Sequence, residues 1–129
     1  MQMHVIFGRP QTGKTGRLIE EMNACRNSAL IFSLENPESH LRKRGLQNSV
    51  QVLEDLNLKF IGSQTRTPVK VVGLDSLELL DHSINVSELC SRLKSAGVDR
   101  FILTCHLRRD FRPASEGRLI GVSYTCETL

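Results

Sequence analysis

Residues 4–22 read HVIFGRPQTGKTGRLIEEM, and three different patterns follow one another in them. HVIF is a short apolar run of the kind that forms a buried strand. GRPQTGKT, at 8–15, is a short run of glycine and mostly polar residues. Beyond it, apolar residues recur at helical spacing at Leu18, Ile19 and Met22. The stretch therefore predicts a strand, a tight loop and an amphipathic helix in direct succession.

The loop matches the pattern G-x-x-x-x-G-K-[ST] in full, and the alternative is a chance glycine-rich turn. A loop of this kind directs backbone N–H groups at phosphate oxygens, and the following helix adds the positive end of its dipole. Lys14 would reach the β- and γ-phosphates, and Thr15 would offer its hydroxyl to Mg²⁺. The predicted nucleotide-binding residues are Gly8, Arg9, Pro10, Gln11, Thr12, Gly13, Lys14, Thr15 and Gly16.

Apolar runs of strand length recur along the whole chain, at 4–7, 29–34, 59–62, 69–74, 100–105 and 119–124. Their apolarity is mostly continuous rather than alternating, which is typical of parallel strands that are buried on both faces. Helix-like segments separate several of them. We therefore predict an α/β fold with three layers and a mostly parallel sheet of about five strands, in a single domain over 1–129.

Two further helices are predicted between these runs. One begins near Pro37, because proline suits a first helical turn, and Gly45 is a point where it breaks or kinks. Its apolar positions are Leu41, Leu46, Val50, Leu53 and Leu56. The other helix covers about 86–96, with Asn85 as its N-cap and Gly97 at its end.

The composition is that of a globular protein, with 40% hydrophobic and 24% charged residues, and it argues against disorder. A net charge of +3 suits a polyanionic partner but is weak for a dedicated nucleic-acid-binding domain. No run is long enough to span a bilayer and no secretory leader is recognisable, so we expect a cytoplasmic protein without a membrane partner. The cysteines, expected to be reduced core residues, are Cys25, Cys90, Cys105 and Cys126.

Two carboxylates lie where predicted strands end. VKVVGLD ends in Asp75, which we predict to act with Thr15 on the metal side of the site; the alternative is a turn or capping aspartate before SLELL. Glu35 follows ALIFSL and is predicted to orient or deprotonate the attacking water. Glu78 is the competing base, and a solvated loop residue is the alternative for Glu35.

Cationic residues follow the run RFILTC. His106 comes first, and we predict that it hydrogen-bonds the γ-phosphate as a sensor of its loss. Arg108, Arg109 and Arg112 are candidates for an arginine finger or a nucleic-acid contact, with a solvated basic loop as an equal alternative. A second basic run, at 40–44, is interpreted as the exposed face of a helix, with a contact to a partner as the alternative.

Three of these segments together resemble the RecA-like ATPase core of the DnaB-type replicative helicases: RPQTGKT at 9–15, FSLENP at 32–37 and VVGLDSLELL at 71–80. ILTCHLRR at 102–109 matches more loosely, and His106 would replace the family's glutamine sensor. The resemblance implies a RecA-like P-loop core that binds ATP and Mg²⁺, with Lys14 and Glu35 as catalytic residues and Asp75 as the Walker B aspartate. It also implies a homo-oligomer that works with single-stranded DNA or with a helicase or other replication protein.

A second resemblance is to the thymidine kinases, because LRRDFR at 107–112 is similar to that family's LRTDFR-type segment. It implies a nucleoside kinase as an alternative. In that family an acidic residue directly follows the strand-end aspartate and acts as the base, whereas Ser76 follows Asp75 here. A third alternative is a non-catalytic nucleotide-binding regulator of a helicase, in which Glu35 would be dispensable.

Overall fold

The strands form one sheet in the order β3-β2-β4-β5-β1-β6, and the strand pairs are parallel throughout. A computed structural model describes residues 1–56 and 68–129. The strands are β1 (Gln2–Gly8), β2 (Ala29–Ser33), β3 (Gln51–Leu53), β4 (Val71–Asp75), β5 (Arg100–His106) and β6 (Thr125–Thr128). The prediction of an α/β fold with a mostly parallel sheet is confirmed, but the sheet formed by the described residues has six strands rather than about five.

Helices cover both faces of this sheet. They are α1 (Lys14–Ala24), α2 (Glu38–Lys43) and α3 (Val86–Ser95), with short 3₁₀ turns at Arg26–Ser28, Leu77–Leu79 and Glu116–Leu119. Successive residues of a strand point to opposite faces, so Val5 packs in the cluster of α3, whereas Ile6 packs with α1 and α2. Both sides of each central strand are therefore buried, which explains the continuous apolar runs.

At two places in the sheet, the chain segments that follow two neighbouring strands pass to opposite faces. β1 continues into α1 on one face, whereas the chain after β5 returns to the α3 face, where Leu119 is buried. β2 and β4 diverge in the same way, since β2 leads to α2 and β4 leads to α3. In open parallel sheets a crevice forms outside the carboxyl ends of strands that diverge like this. Both crevices fall where the predicted site residues lie.

The prediction of the second helix is wrong for the residues after Lys43. α2 ends at Lys43, and Gly45 then adopts a φ of 104°, in the left-handed region that glycine tolerates and that ends helices. The chain therefore turns instead of continuing. Leu53 belongs to strand β3, although its spacing from Leu46 and Val50 fits a helix as well.

Two further predictions near the chain's second half differ from the structure. The predicted strand 119–124 is wrong, because Leu119 closes a 3₁₀ turn, Gly121 has a φ of 78°, and the strand forms only at Thr125–Thr128, beside β1. Of the four cysteines predicted to be core residues, only Cys105 is buried; Cys25 and Cys90 are partly buried, and Cys126 is exposed on that edge strand. The predicted strand 59–62 lies outside the described residues.

The predicted helix at 86–96 is confirmed with its cap. The Asn85 side chain accepts a hydrogen bond from the Glu88 N–H at 3.1 Å, and Gly97 turns the chain with a φ of 89°. Its inward residues are Leu89 and Leu93, which are fully buried against the sheet. Among the helices of the described residues, none has the length and apolarity needed to cross a membrane.

Candidate functional site

The loop between β1 and α1 is held by hydrogen bonds to one carbonyl. The Thr12 hydroxyl donates to the Arg9 carbonyl oxygen at 2.7 Å, and the Lys14 ammonium donates to the same oxygen at 2.9 Å. Gln11 and Gly13 have φ values of 64° and 90°, so the chain reverses sharply before α1 begins. The loop closes around its own backbone and places the first turn of α1 at the carboxyl end of β1.

Position 8 requires glycine because the loop side chains pack directly against its Cα atom. A Cβ at Gly8 would overlap Thr12 Oγ1 and would come within 3.0 Å of Lys14 Cγ. Neither neighbour can give way easily, because both side chains hydrogen-bond Arg9. The first glycine of the pattern therefore lets the Thr12 and Lys14 side chains pack against the backbone at the end of β1.

Lys14 is the buried cation of the site. Its side chain is only 7% exposed, and burial lowers the pKa of its ammonium, because removal from water disfavours the charged form. The nearby carboxylates of Glu78, Glu35 and Asp75 oppose that shift, in this order of size. An additional anionic partner would stabilise the charged form of this buried lysine.

Asp75, at the end of β4, has no exposed surface. One carboxylate oxygen accepts from the Thr15 hydroxyl at 3.2 Å and the other accepts from the Asn36 amide at 2.9 Å. Thr15 lies in the first turn of α1 and Asn36 lies just after β2, so the Asp75 carboxylate connects these two segments at the carboxyl edge of the sheet. Its side chain makes no hydrogen bond to the backbone of the described turn that follows it.

The Thr15 hydroxyl and the Asp75 carboxylate bring two hard oxygen ligands together, which is the donor chemistry that Mg²⁺ prefers. A divalent ion bound there would take its remaining ligands from water and from phosphate oxygens. Within residues 1–56 and 68–129, no group of three or more His, Cys, Asp or Glu side chains is clustered as a metal site. The pair fits an ion that a phosphate ligand helps to hold.

Lys14 and Thr15 open onto a cleft of about 180 Å³, and the buried Asp75 lies behind Thr15 and Asn36 without lining it. Its lining combines the loop, the chain after β2, the end of α2 and the end of β5: Gln11, Gly13, Lys14, Thr15, Glu35, Asn36, Arg44, Thr104 and His106. Glu35 is exposed at its rim and forms no side-chain hydrogen bond or ion pair with the described residues. Its carboxylate is accessible to a water molecule in the cleft.

Glu78 lies in a different position. Ser76 has a φ of 82° and donates its N–H to the Thr104 hydroxyl at 2.7 Å, so the chain turns toward β5 directly after Asp75. Glu78 then accepts from the Ser76 hydroxyl at 2.9 Å and from the His106 N–H at 2.5 Å. Both carboxylate oxygens are thus occupied in joining the ends of β4 and β5.

His106 pairs with Gly8 in the sheet, and so it ends β5 directly beside the loop. Its side chain lines the cleft, and its Nδ1 atom is buried without a hydrogen-bond partner among the described residues. A ring nitrogen without a described partner, on a residue that lines a polar cleft, is a candidate for a hydrogen bond to a ligand. The adjacent Cys105 is an inert neighbour, since burial raises the pKa of its thiol to about 12.

The arginines after β5 do not line this cleft. Their segment forms a turn closed by a hydrogen bond from the Arg108 N–H to the Arg112 carbonyl at 2.8 Å. Arg108 and Arg109 instead line a neighbouring open recess of about 630 Å³, whose other lining residues are Arg9, Pro10, Thr12 and Leu107. The loop 8–15 lines both the cleft and this recess and lies between them. Arg112 is exposed and lines neither.

An aromatic side chain belongs to the same turn. Phe111 is 68% exposed, and the guanidinium of Arg9 lies 5.9 Å from the centre of its ring. The recess, the exposed ring and the surrounding arginines form a surface that we call the arginine–phenylalanine face: Arg9, Arg108, Arg109, Phe111 and Arg112. The sequence predicts a binding role for Arg108, Arg109 and Arg112 of this face, but not for Phe111.

Three other residues of the cleft were missed from sequence. Asn36 directly follows Glu35, and nothing in the pattern shows that its amide reaches Asp75. Thr104 lies within an apolar strand, where its hydroxyl serves Ser76. Arg44 was interpreted as part of an exposed basic run, and only the turn after α2 brings it to the cleft.

No protein-family model matches this chain, and the search of curated proteins gives no significant match. The site is therefore interpreted from its own geometry.

The requirement for glycine at position 8 is testable by Gly8→Ala. The added methyl group overlaps Thr12, so the loop must shift, and we expect the free energy of unfolding to fall by about 1–3 kcal/mol. Gly117→Ala is the matched control, because a Cβ there meets nothing within 4 Å. Urea unfolding of both variants measures the difference. Equal stability of the two variants would contradict the close approach.

Proposed function

We propose that this protein binds a magnesium nucleoside triphosphate, ATP in the first instance, and hydrolyses it with a RecA-like P-loop core. One observation carries the proposal: Lys14, Thr15 and Asp75 converge at one carboxyl edge of the sheet, at the start of α1. A cation, a helix N-terminus and a pair of oxygen ligands are what a polyphosphate with its metal requires.

In the proposed complex, the loop 8–15 and the first turn of α1 direct N–H groups at the phosphates, and Lys14 exchanges the Arg9 carbonyl for phosphate oxygens. Thr15 and Asp75 would hold Mg²⁺, directly or through water. When bound, the ion offsets phosphate charge and orients the phosphate chain. His106 would donate a hydrogen bond to the terminal phosphate from the ring nitrogen that has no described partner.

Hydrolysis needs a base for the attacking water, and Glu35 is the better candidate. Its exposed carboxylate lines the cleft, whereas both oxygens of Glu78 already accept hydrogen bonds. In the proposed step, Glu35 accepts a proton from water as the water oxygen bonds to the terminal phosphorus. The bond from that phosphorus to the bridging oxygen breaks, and ADP and inorganic phosphate leave.

The resemblance to DnaB-type helicases suggests how hydrolysis would be used. We propose that the chain works with single-stranded DNA or a replication protein, as a homo-oligomer, and the arginine–phenylalanine face supports the DNA partner. Exposed aromatic rings stack on bases, and arginines bind the phosphate backbone. Because this face adjoins the loop through Arg9, a bound strand would contact the segment that holds the nucleotide.

The nucleoside kinase remains the second candidate, since the same face contains the LRRDFR segment. An acceptor in the recess would lie beside the loop. Thymidine added to the reaction separates the two functions, because a kinase would form a phosphorylated nucleoside with each ADP. A non-catalytic regulator would instead bind ATP and release no phosphate.

Lys14→Ala tests the nucleotide site. Loss of a charge-assisted hydrogen bond to phosphate should weaken Mg-ATP binding by roughly 10- to 150-fold. Calorimetric titration measures the dissociation constant, and the exposed Lys94→Ala is the control for loss of a positive charge elsewhere. Thermal unfolding without nucleotide establishes that the variant is folded. Unchanged affinity in Lys14→Ala would exclude a P-loop mode of binding.

Glu35→Gln tests the base. General-base catalysis contributes about 10²- to 10⁴-fold, so phosphate release should fall at least about 100-fold while the dissociation constant of Mg-ATP stays within about threefold. Glu20→Gln, a carboxylate on the exposed side of α1, is the control. Normal turnover by Glu35→Gln, together with loss of turnover by Glu78→Gln, would transfer the role to Glu78.

Phe111→Ala tests the proposed DNA partner. Stacking on an aromatic side chain contributes about 1–3 kcal/mol per base, so affinity for a fluorescent single-stranded oligonucleotide should fall by roughly 5- to 150-fold. Ile120→Ala is the control, because Ile120 is also an exposed apolar side chain and does not line the recess. If both variants bind the oligonucleotide equally, Phe111 is not part of a DNA-binding surface.

A further inference from the structure

The basic run His40 to Arg44 contains side chains with different surroundings. Arg42 is a structural residue: its guanidinium donates to the Val50 carbonyl at 2.7 Å and pairs with Glu38 at 3.0 Å. His40, Lys43 and Arg44 are exposed. Arg44 alone among these cations lines the cleft that contains Lys14 and Thr15. The run is therefore not one uniformly solvated helix face.

Arg44 lies over the first turn of α1. A Cβ built on Gly16 would be 3.7 Å from Arg44 Nη2, so the guanidinium approaches the residue that follows Thr15. The ion pairs found among the described residues join other side chains. Because Gly16 has no side chain, the guanidinium lies close to the backbone of the first turn of α1.

The turn that carries Arg44 is attached to α1. Asn23, on α1, donates its amide to the Gly45 carbonyl at 2.9 Å and accepts from the Gln47 N–H at 2.8 Å. Leu41 and Leu46, on either side of the turn, are buried in the same cluster as the inner face of α1. The backbone at Arg44 is thus positioned by the helix whose N-terminus is assigned to the phosphates.

We propose that Arg44 is a second phosphate-binding cation of the nucleotide site, which this chain supplies itself in addition to Lys14. The inference rests on the proposed nucleotide-binding function, and its ligand is the phosphate chain of a nucleoside di- or triphosphate. A guanidinium is planar and binds two phosphate oxygens at once, so Arg44 would fix the orientation of the chain as well as offset its charge.

The test is the dissociation constant of Mg-ATP and of Mg-ADP, measured by calorimetric titration for Arg44→Ala. We expect both ligands to bind about tenfold or more weakly, as for loss of a hydrogen bond to a charged group. Lys43→Ala is the matched control, since it removes the neighbouring exposed positive charge outside the cleft, and it should stay within about twofold of wild type. Arg44→Lys keeps the charge without the planar fork and should lie between.

A second measurement does not depend on variants. Phenylglyoxal modifies accessible arginines, and mass spectrometry would show Arg44 protected by Mg-ATP while the exposed Arg26 stays reactive. If the wild type binds nucleotide but Arg44→Ala equals Lys43→Ala and Arg44 is not protected, the role of Arg44 is overturned and the proposed function stands. If the wild type binds no nucleotide, the proposed function fails, and the ligand assigned to Arg44 fails with it.

Discussion

The site depends on the parallel pairing of the central strands. Parallel strands end at the same edge of a sheet, and their register here aligns Gly8 with His106 and Ser33 with Asp75. Strand pairing therefore brings groups that are far apart in the sequence to one edge of the sheet. Helices that leave to opposite faces keep this edge open, so polar side chains at the strand ends meet in a cleft rather than in the core.

Charge burial gives that cleft its chemical character. Lys14 and Asp75 are both nearly or fully removed from water; among the described residues, Lys14 hydrogen-bonds the Arg9 carbonyl and Asp75 accepts from Thr15 and Asn36. Burial lowers the pKa of Lys14, and an added phosphate would favour its charged form again. Binding of the proposed phosphate ligand would therefore stabilise the folded protein, because it supplies the buried Lys14 ammonium with an anionic partner.

The turn after β4 separates two acidic residues that are close in sequence. Asp75 faces Thr15, whereas the left-handed φ of Ser76 and the 3₁₀ turn Leu77–Leu79 direct Glu78 toward β5. Glu78 thereby fixes the end of β5 and with it the position of His106. The two candidate bases in the sequence thus differ in the structure: the Glu35 carboxylate is accessible, whereas the Glu78 carboxylate joins the ends of β4 and β5.

Local patterns determined much of this protein. A strand, a glycine-rich loop and an amphipathic helix follow from residues 4–22, and the cap at Asn85 and the parallel class of sheet follow from side-chain preferences and continuous apolarity. These features depend on neighbours in the chain, so the sequence contains them directly. The end of α2 at Gly45 and the late start of β6 were not predicted, because apolar spacing alone does not separate a helix from a turn followed by a strand. Only the tertiary structure places Asn36, Thr104 and Arg44 at the cleft, since their positions depend on strand order and on the bond between Asn23 and the turn after α2.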